Sequence, residues 1–293
     1  MRATIGLIAA LLLALAALAD ARAAVGKITI VAAENFYGDV AQQIGGDQVS
    51  VASILSNPDQ DPHLFETAPS VVREIAGAQL VIYNGADYDP WMERLLKVTP
   101  NPPRVVIVAA DLMHKKAGDN PHLWYDPSTM PVVAKALAAA LSAADPAHAD
   151  HYTTGLRTFL ASLQPLSDRI AAIRGKYAGA TVAATEPVFA YMANALHLTL
   201  VDQRFQLSIM NNTEPSIGDL AAFESDLKTH KIRVLFYNRQ ASDKIVQHLV
   251  NLAHASNIPV VGVTETCPPG LSYQNWMLSQ LGATETALAG PSS

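Results

Sequence analysis

The sequence predicts an α/β protein of two lobes with parallel-rich sheets, joined by one long helix. Two patterns carry this prediction. Short apolar, β-branched runs alternate with amphipathic segments up to residue 145, and the same alternation restarts at residue 178. Between them, residues 146–177 keep a helical spacing of apolar side chains.

The first lobe is expected over residues 24–145. Its first predicted helix ends at Gly45 and Gly46, which favour a helix stop, and its last is rich in alanine and leucine. The predicted strands cover 27–33, 49–55, 80–83 and 105–109, and the predicted helices cover 36–44, 70–76, 90–98 and 131–144.

The linking helix is expected over residues 146–177. Its apolar positions recur at steps of three or four, from Leu156 to Ile173, which is typical of one buried helical face. Pro165 is the only proline between residues 147 and 177, so we expect any bend in this helix to lie there.

The second lobe is expected over residues 178–293 and repeats the alternation of the first. Its predicted strands cover 181–184, 198–201, 234–237 and 260–263, and its predicted helices cover 188–196, 217–229, 243–255 and 273–288.

Composition excludes several classes of protein. The chain has 293 residues with 26 acidic and 20 basic side chains, a net charge of −6, which argues against nucleic acid as a partner. Cys267 is the single cysteine, so neither an internal disulfide nor a cysteine-rich metal site can form.

The first 23 residues have the layout of a secretory signal peptide. A positive charge at Arg2 precedes an apolar run over residues 5–19, and small residues at Ala21 and Ala23 suit a cleavage before Ala24. The alternative is a membrane anchor, but the run is short for a bilayer span of about 20 residues. We therefore expect an exported, soluble protein, without a lipid anchor because no cysteine stands at the cleavage site.

Two histidines stand in similar loops that follow strands of the first lobe. Residues 57–69 read NPDQDPHLFETAP around His63, and residues 119–127 read DNPHLWYDP around His122. The preceding proline restricts the backbone ahead of each imidazole, and ligands of open α/β sheets collect at the carboxyl ends of strands. The two loops therefore indicate a shared site, with Asp61 or Asp126 as a candidate partner for the second ring nitrogen.

These two motifs resemble the ligand motifs of the TroA-like receptors, which bind zinc, manganese or iron for bacterial ABC importers. The resemblance covers essentially the whole chain after residue 23, and it implies that the linking helix is a rigid spine beside a metal cleft. It assigns His63 and His122 as the first two metal ligands and Glu186, just after the strand at 181–184, as the third. Glutamate at this third position is typical of the manganese and iron receptors, and histidine of the zinc receptors.

The fourth ligand departs from the family pattern. Where the resemblance leads us to expect an aspartate, the chain has Leu271, and Glu265 on the preceding loop is the preferred replacement. A water molecule, Asp202 and Asp243 are the alternatives. Cys267 is more typical of a small buried apolar residue than of a ligand.

The resemblance implies a periplasmic receptor, a monomer, that delivers one divalent cation to the permease of an ABC importer and is not an enzyme. Two neutral imidazoles and two carboxylates would balance the charge of such an ion. Carboxylate oxygens favour Mn²⁺ or Fe²⁺, with Zn²⁺ as an alternative because it binds most such sites well. Phe65, Trp124 and Tyr191 either wall this site or belong to the core.

Two other functions remain as alternatives. One is a metal-dependent hydrolase with Glu186 as general base, although the sequence contains neither a His-Glu-x-x-His nor a Gly-x-Ser-x-Gly motif. The other is an adhesin or structural surface protein, for which a pair of pre-placed histidines has no evident use.

Overall fold

The computed structural model of the chain describes residues 26–58, 62, 65–101, 103–241 and 243–290. The predicted signal peptide over residues 1–23 lies outside the described residues, as do Asp61 and His63. Within the described ranges, no helix combines the length and the apolar character needed to cross a bilayer.

The first lobe contains a parallel sheet of four strands in the order β2-β1-β3-β4. The strands are β1 Ile28–Glu34, β2 Val49–Leu55, β3 Leu80–Tyr83 and β4 Val105–Val108. Ile28 pairs with Val49 and Leu80 with Val105, so all four carboxyl ends meet at one edge. The four strands predicted for this lobe are confirmed within a residue at either end.

The helices of the first lobe cover the sheet and connect its strands. They are α1 Asn35–Gly45, α2 Pro69–Gly77, α3 Pro90–Val98, the short α4 Ala109–Leu112 and α5 Thr129–Ala144. The sequence predicted α1, α2, α3 and α5. Proline at the first turn of α2 and of α3 suits those helix starts, where the missing N–H leaves no intrahelical bond unmade.

The expected linking helix is present as two helical segments. They are α6 Ala149–Ser162 and α7 Gln164–Tyr177, which meet at Leu163. Pro165 lies in the first turn of α7, where it cannot donate the backbone hydrogen bond that would continue α6. The helix is therefore interrupted just before the proline at which a bend was expected.

The second lobe repeats the architecture of the first, with a parallel sheet in the order β6-β5-β7-β8. Its strands are β5 Thr181–Ala184, β6 Thr199–Val201, β7 Val234–Asn238 and β8 Val260–Val263. Its helices are α8 Ala190–Ala195, α9 Gln203–Met210, α10 Ile217–Lys228, α11 Lys244–Ala255 and α12 Tyr273–Ala289. Helix α9 is the one element of this lobe that the sequence did not predict.

Both sheets have a switch in strand order at which neighbouring connections leave in opposite directions. In the first sheet the switch lies between β1 and β3, and in the second between β5 and β7. Ligand sites of open α/β sheets lie at the carboxyl ends of such strands. Glu186 stands two residues after the end of β5, and Asn238 is the last residue of β7, so both lie at this edge.

Buried aromatic side chains and hydrogen bonds join the two lobes. The hydroxyl of Tyr273 donates to the carbonyl oxygen of Trp124 at 2.8 Å. The hydroxyl of Tyr125 donates to the carbonyl oxygen of Thr264 at 2.9 Å. Asn35 both donates to and accepts from the backbone of Cys267. One continuous apolar core contains residues from both sheets, so the packing does not divide the chain into separate lobes at a particular residue. The lobe boundaries at residues 145 and 178 therefore stay predictions.

Candidate metal centre

His122 is buried and held in place by Asn120. The Oδ1 atom of Asn120 lies 3.1 Å from the backbone nitrogen of His122 and 2.7 Å from its Nδ1 atom. The Nδ2 atom of Asn120 donates to the carbonyl oxygen of Pro187 in the second lobe at 2.8 Å. Backbone N–H groups only donate and backbone carbonyls only accept, so these two contacts fix the orientation of the amide.

This orientation determines the tautomer of the imidazole. Because Oδ1 of Asn120 is an acceptor, Nδ1 of His122 carries the proton, and Nε2 is the nitrogen that presents a lone pair. The prediction that Asp126 orients a histidine of this site is wrong for His122. The carboxylate of Asp126 instead accepts from the backbone and the hydroxyl of Ser128.

Glu265 is fully buried on the loop that follows β8, and the loop around it is fixed on both sides. Its backbone nitrogen donates to Oε1 of Gln240 at 2.6 Å. The preceding residue, Thr264, accepts from the indole nitrogen of Trp276 at 3.1 Å. The carboxylate turns toward the first lobe, where its Oε2 atom lies 3.5 Å from Nε2 of His122.

Glu186 reaches the same region from the end of β5. It is buried, and Pro187 follows it and opens a short helical turn over Pro187–Phe189. Asn238 connects the two glutamates, because its Nδ2 atom lies 2.5 Å from Oε2 of Glu186 and 2.6 Å from Oε1 of Glu265. One buried amide therefore holds both carboxylates at the carboxyl end of the second sheet.

The structure thus brings together three of the four predicted ligands, His122, Glu186 and Glu265, while His63 lies outside the described residues. Among the residues that the structure does describe, no three histidine, cysteine, aspartate or glutamate side chains are placed so that they could hold one metal ion together, and this includes His122, Glu186 and Glu265.

The separation of His122 and Glu265 suits two ligands of one ion. Two donor atoms about 2.0–2.1 Å from one cation at a tetrahedral angle are roughly 3.3–3.4 Å apart. The observed separation of 3.5 Å between Nε2 and Oε2 is close to this value. Two buried carboxylates also favour a divalent cation beside them, because burying unbalanced negative charge is costly.

The two aspartates considered as alternative fourth ligands are engaged elsewhere in the second lobe. Asp243 caps α11, accepting from the backbone nitrogen of Val246 at 2.7 Å, and Asp202 lines a separate pocket with Arg204 and Asp219. Burial, and then the charge of Asp226, raise the pKa of Asp202 to about 6. Leu271 is partly exposed to solvent.

Cys267 behaves as the small buried residue that the sequence indicated. Its thiol lies 3.3 Å from the carbonyl oxygen of Leu271. Burial, and then the charge of Asp39, raise its pKa to about 12, so the thiolate that binds metals is disfavoured.

Aromatic side chains enclose His122. Trp124 is fully buried with its ring centroid 5.3 Å from that of His122, and the ring of Tyr88 lies edge-on at 6.1 Å. Burial, and then the charge of Glu265, raise the pKa of Tyr88 well above its usual range. The hydroxyl of Tyr191 donates to the carbonyl oxygen of Asn120, the residue that holds His122, so Tyr191 adjoins the candidate site. Phe65 packs instead on the ring of Trp91.

Sequence analysis missed three residues of this region, Asn120, Asn238 and Gln240. Asn120 was within reach of prediction, because it stands two residues before His122 and asparagine side chains commonly accept from nearby backbone. Asn238 could have been sought at the end of a parallel strand, next to the strand that carries Glu186. Gln240 carried no comparable signal.

Two parallel α/β lobes beside a helical pair, with His122 of one lobe facing Glu265 of the other, are the arrangement expected of a metal-binding solute receptor. The family described as "Zinc-uptake complex component A periplasmic" matches residues 30–287, and this chain belongs to it. Membership makes the chain the extracytoplasmic receptor of an ABC importer for divalent metal ions and not an enzyme. The TroA-like resemblance of the sequence is confirmed, and the hydrolase alternative finds no support.

Individual relatives agree with this assignment. The chain is 26% identical over 276 residues to a "Putative metal-binding protein" of Treponema pallidum, covering 86% of this chain and 84% of that protein. It is 24% identical over 286 residues to the manganese ABC transporter substrate-binding lipoprotein PsaA of Streptococcus mitis, covering 90% of each. The fold matches the periplasmic zinc-binding protein TroA of Treponema pallidum with a TM-score of 0.77 at 17% identity, over 90% of this chain and 99% of that one.

Proposed function

We propose that this chain binds one divalent transition-metal ion between its lobes through His63, His122, Glu186 and Glu265. The observation that carries this proposal is the convergence of His122 and Glu265 at 3.5 Å, with Glu186 tied to Glu265 through Asn238. In this arrangement each lobe supplies two ligands. His63, on the loop after β2, supplies the donor that the other three residues lack.

A ligand set with two carboxylates favours Mn²⁺ or Fe²⁺ more than a set made only of histidines would. Zn²⁺ remains the alternative ion. Carboxylate oxygens suit harder ions, whereas imidazole suits Zn²⁺ and is tolerated by the others. The two carboxylates balance the charge of the ion, which lowers the cost of burying it. Among the relatives, PsaA carries manganese in its name and TroA carries zinc, so the family spans this choice.

The position of the site between the lobes suggests how the chain delivers its metal ion to a permease. An ion held by both lobes links them, and its release requires that link to break, so the arrangement of the lobes reports occupancy to a permease in the inner membrane. We propose that the chain works as a soluble monomer in the periplasm after cleavage before Ala24, as residues 1–24 indicate.

Competitive titration tests the proposal. The purified chain, stripped with a chelator, is titrated with Mn²⁺, Fe²⁺ and Zn²⁺ and its metal content is measured. We expect one ion per chain and a loss of affinity of at least about 100-fold in Glu265→Gln, because removing a ligand costs at least as much as removing a residue that orients one.

Asp243→Asn is the matched control, since asparagine also caps helices well and Asp243 stands apart from the proposed ligands. This variant should bind as the unmodified chain does. A stripped chain that binds none of the three ions, or a Glu265→Gln variant with unchanged affinity, would overturn the proposal.

A further inference from the structure

Asn238 occupies an unusual position between the two glutamates. Its side chain is buried, and its Nδ2 atom lies within 2.6 Å of an oxygen of each carboxylate. Its Oδ1 atom accepts from the backbone nitrogen of Gln240 at 3.0 Å. A backbone N–H can only donate, so the oxygen of this amide faces Gln240 and the NH₂ group faces the glutamates.

The two hydrogens of this NH₂ group match the two carboxylates. One hydrogen is directed to Oε2 of Glu186 and the other to Oε1 of Glu265. The opposite oxygen of Glu265 is the one that faces His122. Each of these hydrogen bonds occupies one lone pair of one carboxylate oxygen and makes that oxygen a weaker donor, which favours coordination of a cation through the opposite oxygen alone.

We propose that Asn238 is a positioning residue that restricts Glu186 and Glu265 to one coordinating oxygen each and thereby sets the coordination number of the bound ion. The inference rests on the proposed function, since it assumes that both glutamates are ligands. Two imidazole nitrogens and two single oxygens give four protein donors, whereas two bidentate carboxylates would give six.

The number of protein donors, four or six, should affect the affinity for Zn²⁺ and the affinity for Mn²⁺ to different extents. Zn²⁺ is satisfied by four ligands in a tetrahedral arrangement, whereas Mn²⁺ suits oxygen-rich sites of octahedral geometry. Asn238 therefore works against the preference for Mn²⁺ and Fe²⁺ that two carboxylates otherwise confer. A chain with the same ligands but without this amide should discriminate more strongly in favour of Mn²⁺.

Asparagine fits this role because it is neutral and donates two hydrogen bonds from one atom. A lysine would place a positive charge in competition with the cation, and an aspartate would supply no donor. The amide is itself held by Gln240, and the side chain of Gln240 also accepts from the backbone of Glu265. The donor and the loop that carries one of its acceptors are thus fixed to each other.

Two variants of Asn238 test the inference. Asn238→Ala removes both donors, and Asn238→Asp keeps the shape of the side chain and the acceptor for Gln240 while losing the donors. The affinities of the purified chain for Zn²⁺ and Mn²⁺ are measured by competition, and X-ray absorption of the zinc-loaded protein gives the coordination number. Loss of a residue that orients ligands lowers affinity roughly 10- to 100-fold.

We expect four ligands around Zn²⁺ in the unmodified chain and a higher number in both variants. We also expect the ratio of Mn²⁺ to Zn²⁺ affinity to rise by about tenfold, because Zn²⁺ bears most of the loss. Asn35→Ala is the matched control, since Asn35 also makes two amide hydrogen bonds to the loop after β8, but both are to the backbone of Cys267 and not to a glutamate. It should leave both the ratio and the coordination number unchanged.

The outcomes separate this inference from the proposed function. A ratio and a coordination number that stay the same in both Asn238 variants overturn the role of Asn238 and leave the metal site intact. Six ligands around Zn²⁺ in the unmodified chain overturn it as well, even if neither variant folds. An unmodified chain that binds neither ion overturns the proposed function itself.

Discussion

The Nε2 atom of His122 lies 3.5 Å from the Oε2 atom of Glu265. His122 follows β4, the last strand of the first sheet, and Glu265 follows β8, the last strand of the second sheet, so this contact joins the two lobes. Both side chains are fully buried. A cation between them would connect the two lobes directly. In the proposed site, occupancy by the ion and the relative position of the lobes would therefore be coupled at this contact.

Binding of the ion should stabilise the fold. A ligand that binds only the native state at 100 times its Kd adds about 2.7 kcal/mol, which raises the unfolding temperature of a chain of this size by about 5–10 °C. Calorimetry of the stripped chain with and without added metal measures this shift. Glu265→Gln should show little of it, and equal shifts in both proteins would contradict a role for Glu265.

Asn120 should matter for metal affinity because it orients His122. Asn120→Ala removes the acceptor for Nδ1, so we expect a loss of roughly 10- to 100-fold. Asn120→Asp keeps an acceptor for Nδ1 and for the backbone nitrogen of His122, and it should recover most of the affinity. Equal affinities in Asn120→Ala and the unmodified chain, measured by competitive titration, would exclude this role.

Glu186→His should move the preference of the site toward Zn²⁺. The change replaces a hard oxygen donor with imidazole, so we expect the ratio of Zn²⁺ to Mn²⁺ affinity to rise by about tenfold. Glu285→His, at a half-buried position beside Lys176, serves as the control and should leave the ratio unchanged. An unchanged ratio in Glu186→His would show that this position does not contribute to selectivity.

Glu34 and Asp89 should make the metal-free chain less stable as the pH rises. Burial, and then the charge of Asp89, raise the pKa of Glu34 well above its usual range, and burial raises that of Asp89 to about 6. The native state therefore keeps protons that the unfolded state has lost, and the free energy of unfolding falls as the pH increases from about 4 through 6 and beyond.

Glu34→Gln should flatten this dependence, because a neutral amide replaces the group that resists ionisation. Denaturant unfolding at several pH values between 4 and 8 measures it. The control is Glu285→Gln, whose carboxylate has a pKa lowered first by a hydrogen bond from Lys176, so its contribution is lost only toward acid pH. Parallel pH profiles for Glu34→Gln and the unmodified chain would contradict the account of this buried pair.

The sequence predicted the sheets more accurately than the smaller elements. Strands β2 and β3 have the predicted bounds, because short β-branched runs between helix stops admit few other structures. Helix α9 was missed because it is short, and the residue before it, Asp202, has a left-handed backbone with φ of 58°. Nothing in the local sequence marks that conformation as a helix start.

The sequence proposed the histidines and glutamates of the candidate site, and Asn120 was within reach of prediction, whereas Asn238 and Gln240 were harder to find. The Pro-His motif and the carboxylate after β5 follow from residue type and from position at a strand end. Asn238 and Gln240 act through contacts with Glu265, which is remote in the sequence and approaches only when β7 and β8 pair. Such partners become visible only once the sheet is assembled.

Anomalous X-ray diffraction from crystals of the metal-loaded chain tests the central claim most directly, because it locates the ion independently of any assumption about its ligands. We predict one strong peak between the lobes, within bonding distance of His63, His122, Glu186 and Glu265. A peak elsewhere in the molecule, or one at this place that Glu186 or Glu265 does not contact, would contradict the account.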